Sequence, residues 1–427
     1  MSYSATHRIC DPRRRALIRI RPRTYAPIVA AAPGSELDTA AGWRTVAAAF
    51  VSMAVVFGVG YSFGAFFVPM AAEFGTGSGA TSLVFAITAF CWFQLSPVTG
   101  RIADRIGPRP VLLAGAAALA AGLLLTATVR QLWVGYLTYG AGVGIAVACG
   151  YVPLVAAVGG WFERRRAVAM AVAVAGIGVG TLLGAPLAAT LIATIGWRGT
   201  HVVFGLAGAA LLVGCAAVVR RPPQPAGVGS GPPLRVLAGM APFRSMYATT
   251  LLAAFALFVP VVHLPVYAAT SGASPVAGAT LVGIIGVASV VGRIALGAIA
   301  DRFGRVRTFQ ASFAVLAAAF GLWLGHIAFG GPFAVLVAFA VVLGVGYGGW
   351  IALQPAVIAD AFGVRGLGWL VGLVYTAAGI GALLGVPVAG ALVDATGGYG
   401  WAAAAAGLCG LGAFAVSTRL DRADFAR

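Results

Sequence analysis

Apolar residues dominate this 427-residue chain in long runs. Between Trp43 and Ser417 the runs are each about the 20 residues a helix needs to cross a hydrocarbon core, and short polar or Gly/Pro-containing breaks separate them. The pattern predicts an all-α polytopic membrane protein with twelve transmembrane helices. The expected spans are 44–71, 80–103, 110–129, 132–160, 167–195, 200–219, 246–270, 277–300, 307–328, 332–360, 367–394 and 399–418. One polar residue interrupts the pattern deeply. Arg293 lies in the run Val276 to Ala300 with no acidic residue beside it.

The pattern also repeats. Gly100-Arg101-Ile102-Ala103-Asp104-Arg105-Ile106-Gly107 returns, shifted by 197, as Gly297-Ala298-Ile299-Ala300-Asp301-Arg302-Phe303-Gly304. Leu182-Leu183-Gly184-Ala185-Pro186 returns shifted by 201 as Leu383-Leu384-Gly385-Val386-Pro387, and Gly142-Val143-Gly144 with Pro153 shifted by 202 as Gly344-Val345-Gly346 with Pro355. Near-constant offsets imply a duplication, so we expect two six-helix pseudo-symmetric halves, 43–220 and 245–418, in the parallel-repeat plan of a rocking transporter. A proline-bearing linker, 221–244, joins them. Residues 1–42 are expected to be a disordered Arg-rich segment, although a transit peptide or a misassigned start codon fits them as well. Residues 419–427 form a tail.

Composition agrees with the membrane reading. Hydrophobic residues make up 60%, charged residues 9%, and mean hydropathy is +0.97, a surface that a water-soluble fold could not hide. The chain has no lysine, and its 28 arginines are unevenly placed. Under the twelve-span map 25 fall on the side of the termini and two, Arg130 and Arg198, on the other. The positive-inside rule therefore predicts cytoplasmic termini. Cytoplasmic arginine facing anionic membrane lipids accounts for the +17 net charge without nucleic acid. The five cysteines, Cys10, Cys91, Cys149, Cys215 and Cys409, are scattered, with no metal-ligand or redox spacing, and read as small core residues. No metal or other cofactor is expected.

Arg293 carries the strongest functional signal. A central arginine costs an inserting helix roughly 2.5–3.5 kcal/mol and normally faces a cavity or a partner. It lies eight residues from Asp301, about 12 Å along a helix at ~1.5 Å per residue, deep for a snorkelling side chain. The shift of 197 puts Ser96 at the equivalent position in the first half, so the architecture does not itself require a charge there. Anion binding is the reading adopted, against a hydrogen-bonding role toward backbone carbonyls.

The paired Gly-x-x-x-Asp-Arg-x-Gly loops resemble the signature loop of the major facilitator superfamily after spans 2 and 8, over roughly 42–418. Tyr61-Ser62-Phe63-Gly64-Ala65-Phe66-Phe67 is similar to the first-helix motif of monocarboxylate transporters. Trp161-Phe162-Glu163-Arg164-Arg165-Arg166-Ala167, leading into Ala173-Val174-Ala175-Gly176-Ile177-Gly178-Val179-Gly180, is similar to their second, and Pro387 to Asp394 to their span 11 exit. The group resembled is that of bacterial monocarboxylate porters and neighbouring oxalate:formate antiporters. The resemblance implies that an arginine at the Arg293 position binds the substrate carboxylate, which a planar guanidinium suits. It also implies that Gly100, Asp104, Arg105, Gly107, Gly297, Asp301, Arg302 and Gly304 form conformational latches between the halves. Glu163 to Arg166 form either a similar latch with Asp360 or a solvated turn. Glu73 and Asp394 read as plain helix-end charges.

The chain departs from the animal members at Tyr61, where they have a lysine, and at Ser289, where they have an aspartate. None of the 11 acidic residues lies near the middle of a span, so a carboxylate proton carrier is hard to place. His263, between Pro260 and Pro265, is the titratable candidate, in what the two prolines suggest is a broken helix at a cavity. The alternative is a structural hydrogen bond to a neighbouring helix. Tyr61, Tyr151, Tyr347, Trp350, Gln354 and Tyr375, on spans 1, 4, 10 and 11, are expected to line the central cavity, or else to pack. Gly176, Gly180 and Gly184 mark one face of span 5 for close helix contact. The expected protein is a monomeric secondary transporter in a bacterial inner membrane, moving a small organic anion, a monocarboxylate, with protons as a possible coupling ion. Alternatives are an exporter of hydrophobic compounds or drugs and an oxalate/formate-type anion exchanger. A receptor-like sensor also fits the sequence. Nothing in it resembles an enzyme's metal cluster, nucleophile elbow or phosphate loop.

Overall fold

Lipid offers the backbone no hydrogen-bond partner, so each apolar run must satisfy its own amides as a helix. A computed structural model describes residues 37–223, 234–363 and 367–420. Among these there are helices and turns but no strand. Eleven helical runs are long and apolar enough to cross a membrane. One of them, Arg166–Val218, turns at Gly196, whose φ of 73° is open to glycine and strained for other residues. It therefore forms two spans, and the total is the expected twelve.

The spans are α1 (Ala40–Phe74), α2 (Ser78–Ile106), α3 (Pro108–Thr126), α4 (Leu132–Trp161), α5 (166–195), α6 (197–218), α7 (Ala241–Thr270), α8 (Pro275–Phe303), α9 (Arg305–Phe329), α10 (Phe333–Phe362), α11 (Leu367–Thr396) and α12 (Gly400–Leu420). The segment assigned to 1–42 is thus already helical from Ala40, and residues 1–36 lie outside the described residues. A short helix, Leu234–Gly239, precedes α7, which starts within the 221–244 linker. The duplicated loops end alike: Gly107 and Gly304 cap α2 and α8 at φ 95° and 92°.

Two irregularities position Tyr61 and Tyr151. Helix α1 is interrupted at Ser62, and α4 at Tyr151, just before Pro153. Carbonyls around the second break find hydroxyl donors: Ser52 donates to Gly150 O and Thr99 to Ala148 O. By contrast α7 runs unbroken through Pro260 and Pro265, so the expected broken helix is not present. Proline is tolerated there because a neighbouring helix packs onto the freed carbonyl. Gly64 of α1 lies against Pro265 and the carbonyls of Val261 and Val262.

Close packing holds the bundle. A Cβ at Gly176, Gly180 or Gly184 would overlap the carbonyl oxygen of Phe50, Ala54 or Gly58 on α1, so the expected glycine stripe is the α1–α5 contact. The first six helices meet the last six where α2 runs along α11, α5 crosses α8, and the far end of α1 meets α7.

Several end-of-helix charges are bound differently from expectation. The carboxylate of Asp394 on α11 accepts the N–H groups of Ser78 and Gly79, at 2.7 and 2.8 Å, capping α2 across the two sets of helices. Glu73 pairs with Arg198 and accepts from Trp197 Nε1. Neither is a plain helix-end charge. Asp360 pairs with Arg305 at 2.9 Å and not with the Glu163–Arg166 turn. The backbone N–H groups of Glu163, Arg164 and Arg165 instead meet the Asp38 carboxylate. Desolvation opposes its ionisation, but those donors and the Arg164 charge hold the Asp38 carboxyl below the usual carboxylate range. Arg221 donates to the backbone carbonyl of Asp104, within the first six helices, while Asp301 and Arg302 are exposed. The described residues therefore show no ion pair joining the two duplicated loops.

Candidate substrate site

Glycines on α10 allow α8 to come close enough to shape a site. A Cβ at Gly348 would overlap Ser289 O and meet Arg293 N, and one at Gly344 would overlap Ile285 O. This contact sets the Tyr347 ring 6.0 Å from the guanidinium carbon of Arg293, within cation–π range. Arg293 Nε is buried and has no hydrogen-bond partner. The two ion pairs among the described residues lie elsewhere, so no carboxylate among them pairs with Arg293.

Three more expected tyrosines lie within electrostatic reach of Arg293. The field of Arg293 acts on the hydroxyls of Tyr61 on α1, Tyr151 at the α4 break and Tyr375 on α11, and the Tyr61 and Tyr347 hydroxyls hydrogen-bond. Both sets of six helices thus contribute to one cationic, hydroxyl-rich spot. A partly buried guanidinium with free donors and phenols within its electrostatic reach is chemically suited to a carboxylate or similar small anion.

Three other expected residues are placed differently. Trp350 Nε1 donates to Gln354, whose amide donates to Thr250 on α7, and both side chains are fully buried with these bonds satisfied. They are core. His263 lies where α7, α11 and α1 meet: its Nε2 bonds Val386 O at 3.0 Å, and its ring packs edge-on to Phe67 and Tyr399. Val386 is eleven residues past Tyr375, roughly 16 Å along α11. His263 therefore does not line the Arg293 spot; its environment is that of the structural hydrogen bond. His263→Gln, which keeps a donor, is expected to bind substrate within about twofold of the parent. A loss of affinity in an equilibrium titration as large as that of an Arg293 variant would contradict this placement.

The structure adds a wall that the sequence reading missed. Phe57 packs edge-on to Trp92 and Tyr151, with ring centroids 4.8 and 5.4 Å away. Trp92 and Phe93 stack at 4.3 Å, and Phe93 lies 6.2 Å from Tyr375 and 6.0 Å from Phe258. A signal existed. Phe57 precedes Tyr61 by one helical turn, and the 197 shift that pairs Arg293 with Ser96 pairs Ser289 with Trp92. Among the described residues no three His, Cys, Asp or Glu side chains are grouped to hold a metal.

The sequence profile of the Major Facilitator Superfamily matches residues 45–331 and 296–424. The chain belongs to the major facilitator superfamily. This facilitator is 33% identical over 375 residues to monocarboxylate transporter 3 of Rattus norvegicus, covering 84% of this chain and 75% of that protein. It is 30% identical over 362 residues to monocarboxylate transporter 13 of the same organism, covering 84% of each. Among solved structures it is similar to a bacterial homologue of the human lysosomal transporter Spinster in an inward-facing, occupied conformation. That match has a TM-score of 0.73 at 15% identity and covers 88% of this chain and 96% of the other, a likeness of fold. The facilitator is an integral membrane transporter and not an enzyme.

Proposed function

We propose that this facilitator is a secondary active transporter that carries a small organic anion, a monocarboxylate, by alternating access of two halves, 43–220 and 245–418, rocking about the Arg293 site. The observation that carries this reading is the buried, unpartnered Nε of Arg293, ringed by Tyr61, Tyr151, Tyr347 and Tyr375. The similarity to monocarboxylate transporters supports the substrate class. An anion held by residues from both sets of helices would be passed between two accesses when the sets rock. The latch role of Gly100, Asp104, Arg105, Gly107, Gly297, Asp301, Arg302 and Gly304 belongs to this proposal. In it their charges pair across the halves only in a conformation other than this one. The carrier works as a monomer. The test is uptake of labelled small carboxylates into proteoliposomes at two pH values. Binding without accumulation would make the protein a sensor and sink the proposal; a rate independent of the pH gradient would remove protons as the coupling ion.

A second reading, export of hydrophobic compounds, is favoured by the wall of Phe57, Trp92, Phe93 and Phe258. Under it Arg293 is structural, and neutral apolar compounds would compete with carboxylates for binding.

We also propose a bacterial inner membrane location with both termini cytoplasmic, on the arginine asymmetry. A reporter fused after Arg221 is expected to register cytoplasm, and one after Arg130 the outside. The reverse pattern would invert the topology.

A further inference from the structure

We infer that the anion this site prefers carries a planar aromatic body, an aryl or arylalkyl monocarboxylate, and that Phe93 is the residue that reads the ring. The inference rests on the carboxylate reading above and narrows it. Polar and apolar groups are segregated within the site. Arg293 and four tyrosine hydroxyls make one end, and Phe57, Trp92, Phe93 and Phe258 make the other. Tyr375 touches both ends. Its hydroxyl lies in the field of Arg293, and its ring is 6.2 Å from that of Phe93. A carboxylate seated on Arg293 therefore places whatever is attached to it beside Tyr375 and Phe93.

Phe93 is suited to receive that body. Trp92 stacks on it at 4.3 Å and 15° between planes, yet the Phe93 side chain remains partly exposed. Tyr151 and Tyr375 are also half-buried, whereas Phe57 and Phe258, at 2% exposure each, form the sealed backing. Flat, rigid surfaces left partly bare beside a cation favour a flat ligand, because ring–ring contacts add to what burial of the same area gives. A saturated ring or a flexible chain of equal carbon count gains the burial without that addition.

The test is equilibrium binding to the purified full-length transporter in detergent, with benzoate, cyclohexanecarboxylate and propionate as probes. Benzoate and cyclohexanecarboxylate share charge and carbon count and differ in planarity and π-character. Benzoate is expected to bind roughly five- to tenfold more tightly than cyclohexanecarboxylate. Phe93→Leu, which keeps apolar bulk, is expected to erase that ratio. Equal affinities for the two seven-carbon acids in the parent protein, or a ratio unchanged in Phe93→Leu, would overturn the inference. If both acids bind equally and Arg293→Ala removes both, the carboxylate reading stands and the aromatic preference falls. If no acid binds at all, the carboxylate reading falls and this inference with it.

Discussion

Arg293→Ala is expected to abolish carboxylate binding while leaving the protein folded. Truncating one member of a desolvated charge pair costs about 2–5 kcal/mol, which corresponds to a fall in affinity of roughly thirtyfold to several thousandfold. The loss is large because the substrate carboxylate would have to shed water with no countercharge, and the tyrosine hydroxyls that remain offer single neutral hydrogen bonds. Stability follows the opposite logic. In the fold itself Arg293 Nε has no partner, and no ion pair among the described residues involves this side chain. Removing a partly buried cation that has no hydrogen-bond or ion-pair partner takes away a cost that outweighs the loss of its cation–π contact with Tyr347. The Arg293→Ala melting temperature should therefore match or exceed that of the parent. Arg293→Lys should rescue poorly, since an ammonium cannot present the two parallel donors of a guanidinium. Equilibrium titration together with a melting curve decides the matter. Near-normal affinity in a folded Arg293→Ala protein would make the arginine structural and remove the main support for an anion carrier.

Gly180→Val is expected to do the reverse, destroying the fold without touching the site. A Cβ at Gly180 would overlap the Ala54 carbonyl oxygen on α1, and Gly176 and Gly184 meet Phe50 and Gly58 in the same register. The two backbones would have to separate, and the other two contacts would separate with them. Overpacking in a water-soluble core typically costs about 1–3 kcal/mol. Between membrane helices the penalty is felt more fully, because close packing is a main force holding them together and lipid offers no hydrophobic compensation. The expected result is loss of folded, monodisperse protein on extraction. Gly214→Ala is the control: nothing lies within 4 Å of a Cβ placed there, so replacing a helical glycine should be neutral or stabilising by up to about 1 kcal/mol. A monodisperse Gly180→Val protein with parental melting behaviour would mean that the α1–α5 contact is softer than its geometry indicates.

How far the sequence reached differs from residue to residue. Gly176, Gly180 and Gly184 were legible because close approach is a property of small residues at fixed spacing on one helix. Arg293 was legible because an isolated charge in an apolar run is anomalous on its own helix, whatever its neighbours are. Tyr61, Tyr151, Tyr347 and Tyr375 lie in the field of Arg293 or beside it, whereas Trp350 and Gln354, on the same α10 helix as Tyr347, turn into the core, Trp350 donating to Gln354. No one-dimensional signal separates those cases, since they depend on how α10 is rotated against α7 and α8. The Asp394 cap on α2 spans more than 300 residues of sequence and could not have been anticipated from a helix end alone. Likewise His263 looked like a cavity residue between two prolines, but α7 is continuous, with Gly64 packed against the Val261 carbonyl that Pro265 frees, and the imidazole is bonded to Val386.

The sequence by itself determined the twelve helices, the duplicated loops and the lone cation in an apolar run. Each of these is decided locally: in lipid every backbone amide must be satisfied within its own segment, so run length and composition dictate the element. Only the tertiary structure decided which charges meet, which aromatic rings wall the Arg293 site, and that His263 stands apart from it. Those outcomes depend on the depth and axial rotation of each helix relative to its neighbours. Both are set by backbone approaches between helices far apart in the chain; a glycine stripe such as Gly176, Gly180 and Gly184 marks that an approach occurs, but not which helix it meets.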